Sequence, residues 1–214
     1  MDEQANQAAE LRKAKKLAEF QAKYQTGDLG AGMSADLNYT LKRLVRGLSS
    51  DNHTIKRGYF LATVEVVRRF KAQIDTIKMI RYMKEETKTA STMKNPEINA
   101  LVLGQFMCLS TLVESEAYQQ GAQANTDTIE SLTSSFISLY KTYQFLRESI
   151  QTVFSKLLTT LQTEAHGVKL LEKIVAELVV VDKKPVKEFV FEHSDNLSLY
   201  LSLRHAYLSP KYQD

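Results

Sequence analysis

Apolar side chains recur at helical spacing along most of this chain, and little interrupts them. Ile55, Tyr59, Ala62, Val66 and Phe70 stand at i, i+4, i+7, i+11 and i+15, one face of an α-helix, and Phe60, Val64 and Val67 add a second apolar side. A helix that is apolar on two sides packs between neighbours, as in a multilayer helical array. Eight glycines and three prolines in 214 residues leave long uninterrupted elements, which favours helices over many short strands. No strand pattern of convincing length is present.

The pattern divides the chain into eight to ten helices. Residues 5–24 read as a helix with a thin apolar stripe (Leu11, Ala14, Leu17, Ala18, Phe20) among Arg12, Lys13, Lys15 and Lys16. The run from Thr26 to Gly32 reads as a flexible linker. Ser34 is placed to cap a helix carrying Leu37, Leu41, Leu44, Val45 and Leu48. The His53–Phe70 stretch follows, then a helix with Ile74, Ile77, Ile80 and Met83. Pro96 fits the first turn of a helix filled by Ile98 to Val113. Residues 121–125 form a polar connector, and Asp127 with Glu130 has capping-box spacing. Two further stripes run Ile129, Leu132, Phe136, Leu139, Tyr143 and Leu146, Ile150, Val153, Leu157, Leu161. Residues 167–181 make another helix, Phe189 and Phe191 sit in an ambiguous segment, and Leu197, Leu199, Tyr200, Leu203 and Tyr207 close the chain. Short loops between helices of this length predict an all-α fold of stacked helical hairpins, HEAT- or armadillo-like. The alternative, given no exact internal repeat, is an irregular helical bundle. The domain reading is an N-terminal basic helix and linker over 1–33, followed by a helical-repeat domain over 34–214.

Site chemistry is sparse. The four histidines (His53, His166, His193, His205) have no metal-ligand spacing with each other or with Cys108. The glycines at 27, 30 and 32 lack the Lys-Ser/Thr ending of a phosphate-binding loop and no strand precedes them. Aspartates occur singly, without the clustered carboxylates of two-metal phosphoryl chemistry. The expectation is a non-enzyme with no catalytic residue, no metal, no cofactor and no small-molecule substrate. The single cysteine forbids an internal disulfide, the start Met1-Asp2-Glu3-Gln4 has no apolar signal-peptide core, and the strongest aliphatic run, Leu178 to Val181, is far too short to span a bilayer. No membrane association and a reducing intracellular location are expected.

Charge is uneven. Between Tyr39 and Lys84 eleven lysines and arginines face only Asp51, Glu65 and Asp75, a net +8 in a chain whose total is +3. Lys42, Arg43 and Arg46 lie on one helix, with Lys56, Arg57, Arg68, Arg69 and Lys71 on the next. These eight are the candidate nucleic-acid-binding residues, a phosphate-contacting patch weighed against an ordinary solvated face. Aromatic residues fall mostly at core positions, so base-specific stacking is not indicated.

The stretch Leu37-Asn38-Tyr39-Thr40-Leu41-Lys42-Arg43-Leu44-Val45-Arg46-Gly47-Leu48-Ser49-Ser50 resembles the Tyr-x-Leu-Lys-Arg-Leu-Ile/Val-Arg-Gly-Leu-x-Ser signature of the DNA polymerase V / Myb-binding protein 1A family. Lys56-Arg57-Gly58-Tyr59-Phe60-Leu61-Ala62 then takes the place of the family's following helix. Glu97 to Ser115, with Gly104-Gln105-Phe106 inside it, is similar to the family's Gly-Arg-x-Phe helix, Gln replacing Arg. Phe145-Leu146-Arg147-Glu148-Ser149 is similar to a Trp-Leu-Arg-Glu-Ser block, and Asn196 to Leu203 to a leucine-rich segment. The resemblance spans 37–203. It implies a helical-repeat protein without polymerase activity, nuclear and nucleolar, that serves ribosome biogenesis: ribosomal RNA transcription and processing, with preribosomal particle proteins, RNA or ribosomal DNA as partners. Family proteins are much longer, so the expectation is either the N-terminal portion of that longer architecture or a diverged short relative. The competing function is a protein-interaction scaffold that takes a partner helix or peptide in a groove.

Overall fold

A computed structural model describes residues 27–120, 123–124, 126–163 and 194–208. The helices read at 5–24 and 167–181, the segment of Phe189 and Phe191, and His166 and His193 lie outside those residues. The described chain is all-α, with seven helices: α1 Ala35–Gly47, α2 His53–Phe70, α3 Thr76–Glu86, α4 Asn95–Glu114, α5 Thr126–Thr142, α6 Arg147–Thr163 and α7 Ser194–Leu208. One 3-10 turn, Gln144–Leu146, leads into α6. The polar connector after α4 adds a short antiparallel pairing, Gln119 opposite Ala124 and Gln120 opposite Gln123.

Side-chain caps set the starts. Ser34 Oγ accepts from Leu37 N at 3.2 Å, as its position before the first apolar stripe predicts. Asn52 Oδ1 accepts from Thr54 N (2.9 Å) and Ile55 N (3.1 Å), and Asp75 Oδ1 from Lys78 N (3.0 Å). Pro96 sits in the first turn of α4, where Glu97 accepts from Lys94 N at 3.0 Å. α4 ends in a Schellman motif. Ala117 N donates to Leu112 O (3.0 Å) and Glu116 N to Val113 O (3.1 Å), with Glu116 in the left-handed region at φ 55°.

α4 is the axis of the packing. It touches α1, α2, α3, α5 and α6 and buries Val102, Cys108, Leu109, Leu112 and Val113. By length and composition it is apolar enough to cross a membrane, and here those apolar residues meet other helices. α1 also packs on α2 and α3, α2 on α4, α3 on α5, α4 on α6, α5 on α6, and α6 on α7. The helices therefore form two rows, α1–α3–α5 and α2–α4–α6. Phe136 of α5 meets Phe106 of α4 and Phe154 of α6 edge-on, at centroid distances of 6.4 and 6.2 Å. Hydroxyls inside this core turn back on their own helices: Ser110, Ser115 and Ser135 donate to Phe106 O, Thr111 O and Ser131 O.

Two expectations change. The run Thr26–Gly32 reads in the sequence as a flexible linker, but its described part, 27–32, is packed: Leu29 is buried, its N–H donates to Asn38 Oδ1 (3.1 Å), and its carbonyl accepts from Asp75 N (2.7 Å). In α2, Ile55 and Ala62 of the first apolar stripe are exposed, while Tyr59, Val66 and Phe70 of that stripe are half-buried against the core and Thr63, Val64 and Val67 are buried. α2 lies at the end of its row with α1 and α4 as its described neighbours, so its first stripe is only partly covered.

A left-handed residue other than glycine carries about 1 kcal/mol of strain. Glu116→Gly is therefore expected to raise the urea midpoint, by up to about 1 kcal/mol of stability. A lower midpoint would contradict the assignment of that motif.

Candidate nucleic-acid interface

The inward positions of α1 are Asn38, Leu41, Lys42 and Val45, a face that includes a lysine. Lys42 is 1% exposed, with its ammonium 5.6 Å from the centroid of the Tyr82 ring on α3. Burial pushes its pKa below the usual lysine range, with Asp28 and Glu86 opposing that shift and Arg46 adding to it. Arg46 completes the cluster. Its Nε donates to Glu86 Oε2 (2.9 Å) and to Tyr82 Oη (3.0 Å), and a terminal nitrogen donates to Tyr82 Oη at 2.8 Å. Burial, against the pull of Arg46, holds the Tyr82 hydroxyl protonated up to about 12. Lys56 is 4% exposed on the buried face of α2, and burial lowers its pKa as well.

Three of the eight candidates are thus not placed as a surface patch requires. Lys42 and Lys56 sit at helix positions that turn inward, and Arg46 is engaged between α1 and α3. The i, i+4 spacing of 42 and 46 is real, but it lies along the edge that meets α3. The other five are exposed. Arg43 lies against the hydroxyls of Tyr39 and Tyr59, which raise its pKa. Arg57, Arg69 and Lys71 stand on the outer side of α2. Arg68 pairs with Glu65 and reaches Glu114 O at 3.4 Å.

A second cationic row lies outside those eight. Lys78, Arg81 and Lys84 on α3, and Lys88 just beyond it, are all exposed, and none forms an ion pair with a described residue. Its signal is present in the sequence: 78, 81 and 84 fall opposite the apolar Met79, Ile80 and Met83 on a helical wheel. Beside this row the 27–32 loop and α3 enclose a cleft of about 550 Å³. Cys108 offers no reactive thiol, since complete burial raises its pKa to about 12. Among the described residues no group of three His, Cys, Asp or Glu could hold a metal ion.

The segments that carry the resemblance are contact points between helices. Gly47 faces the Tyr59 ring so closely that a Cβ would collide with it. A Cβ on Gly104 would collide with Ser49 Oγ and lie 3.1 Å from the Ser49 Cα and Cβ. Gln105 Nε2 donates to Thr87 O at 3.3 Å. Arg147 stacks on the Tyr140 ring (5.3 Å) and donates to Tyr140 O (3.3 Å), and Tyr140 Oη donates to the buried Asn196 Oδ1 at 2.9 Å. Gly104→Ala is expected to cost about 1–3 kcal/mol by overpacking, although alanine is the better helix former. Ser49 Oγ is buried without a hydrogen-bond partner among the described residues. Ser49→Ala should therefore relieve part of that cost, with coupling above about 0.5 kcal/mol in a double-mutant cycle by urea unfolding. Strict additivity would contradict the close approach.

No curated protein and no solved structure matches this chain. The sequence model of the family described as DNA polymerase phi matches residues 39–213, a span that takes in all of the resembling segments except Leu37 and Asn38. The chain belongs to the DNA polymerase phi family.

Proposed function

We propose that this chain is a non-catalytic nuclear factor of ribosome biogenesis, acting in the nucleolus and binding preribosomal RNA through the exposed cations of α2. The observation that carries this reading is the outer surface of α2, where Arg57, Arg68, Arg69 and Lys71 are exposed and Glu65 is the only carboxylate on that helix. Arg43 extends it from α1. Exposed cations exchange counterions for phosphates, giving sequence-independent, salt-sensitive binding. Family membership supports the process and the location. Ribosomal DNA offers the same phosphate chemistry as an alternative partner. The two rows formed by the described helices support a stacked-hairpin, HEAT- or armadillo-like array, which is the architecture proposed for the domain at 34–214.

A second reading, a scaffold for a partner helix, is favoured by one feature of the same surface: Leu61 is 65% exposed and Ile55 49%. Leucine offers nothing to phosphate but anchors a protein interface.

The test is fluorescence anisotropy with a structured ribosomal RNA fragment across a salt series. Charge reversal of Arg57, Arg68, Arg69 and Lys71 is expected to weaken binding and flatten the salt slope by about 0.9 for each duplex phosphate that is no longer neutralised. Leu61→Ser, which removes the apolar anchor without adding charge, should leave RNA affinity unchanged. If the charge-reversed protein binds with unaltered affinity and slope, the α2 surface is not the interface; if Leu61→Ser alone removes partners that survive nuclease, the scaffold reading replaces it.

A further inference from the structure

The cleft between the glycine loop and α3 has a lining that the α2 surface does not explain. Its volume, about 550 Å³, lies within the usual range of ligand sites, roughly 300–1,000 Å³. Gly27 and Gly32 adopt φ of +79° and +69°, and a Cβ at either would meet nothing within 4 Å. These glycines serve the path of the loop and leave its wall at backbone level. Lys78 and Arg81 stand on the α3 side, and Asp28 and Glu85 also line the cleft. Asp28 Oδ1 accepts from Asn38 Nδ2 at 3.1 Å, and a carboxylate has further lone pairs to offer.

Two cations beside two carboxylates suit a ligand that brings both an anion and hydrogen-bond donors. An acidic peptide would set its own carboxylates against Asp28 and Glu85. A nucleotide would place its phosphate on Lys78 and Arg81 and offer sugar hydroxyls or base amino groups to the acceptors. Lys84 and Lys88 continue the cationic row along α3 beyond the cleft, where the neighbouring phosphates of a strand would lie.

We infer that this cleft seats one nucleotide of a single-stranded RNA, with its phosphate on Lys78 and Arg81 and its sugar and base against Asp28 and Glu85. The inference rests on the nucleic-acid reading above but adds a second site, separate from α2. A free mononucleotide presents the same chemistry, so the test has two arms: a labelled single-stranded RNA 12-mer of mixed sequence, and AMP alone. Both use the full chain. Ala31 is exposed on the cleft wall, so Ala31→Phe fills the space without changing charge. Circular dichroism melts establish that each variant is folded.

Ala31→Phe is expected to weaken the 12-mer about tenfold, the scale of displacing one bound base, with the salt slope unchanged. Lys78→Glu with Arg81→Glu should weaken it and flatten the slope by about 0.7, equivalent to the one single-strand phosphate that they hold. If Ala31→Phe removes AMP binding but leaves the 12-mer untouched, the site takes a free nucleotide and the strand proposal is overturned. If folded Ala31→Phe changes neither ligand while the α2 variants still weaken RNA, the cleft proposal fails and the α2 reading stands. A wild-type chain that binds no RNA overturns both.

Discussion

A cation buried between helices persists only if something answers its charge, and Lys42, with the half-buried Arg46 beside it, meets that requirement by joining α1, α3 and the glycine loop. Lys42 lies over the Tyr82 ring, Arg46 bonds Tyr82 and Glu86, and Asp28 adds its charge from the loop. The loop in turn is tied to α1 through Asn38 and to the start of α3 through Asp75 N. With α1 held to α3 in this way, Gly47 can meet Tyr59 and Ser49 can meet Gly104. The end of the array nearest the N-terminus is therefore positioned by one polar cluster and two glycines that permit close approach.

Apart from Arg43 and Arg57, the residues that identify the chain are not those proposed to meet a partner. The segments that resemble the family pack helices together: Leu41, Val45 and Leu48 are in the core, Arg46 bridges to α3, Leu146 and Leu199 are buried, and Asn196 receives the Tyr140 hydroxyl. A resemblance built on such residues speaks for the fold, while function depends on the surface grafted onto it. The proposed surface comprises the outer sides of α2 and α3, and most of its exposed cations lie outside the signature.

Helix existence is legible in the sequence because it depends on local patterning: Ser34 before its stripe, Pro96 in a first turn, Phe136 central to its own. The inward lysines are not. Residue type argues that lysine faces water, yet positions 42 and 56 are set by helical phase against neighbours that a single helix does not reveal. The exposure of Ile55 and Leu61 has the same origin, since the apolar pattern cannot say which side of α2 receives a neighbour. The loop at 27–32 resembles a linker because its glycines signal backbone freedom, whereas its anchoring depends on Asn38 and Asp75, which are distant in sequence.

Arg46, within the family signature, bonds Glu86 and Tyr82 on α3 and is expected to act as a tie between helices with no part in RNA binding. Arg46→Ala measured for both urea stability and affinity for the ribosomal RNA fragment tests this most directly. The expected result is a loss of about 1–3 kcal/mol in stability, from the unpaired Glu86 and Tyr82 groups, with RNA affinity unchanged where the protein remains folded. Unaltered stability with RNA affinity reduced tenfold would contradict it.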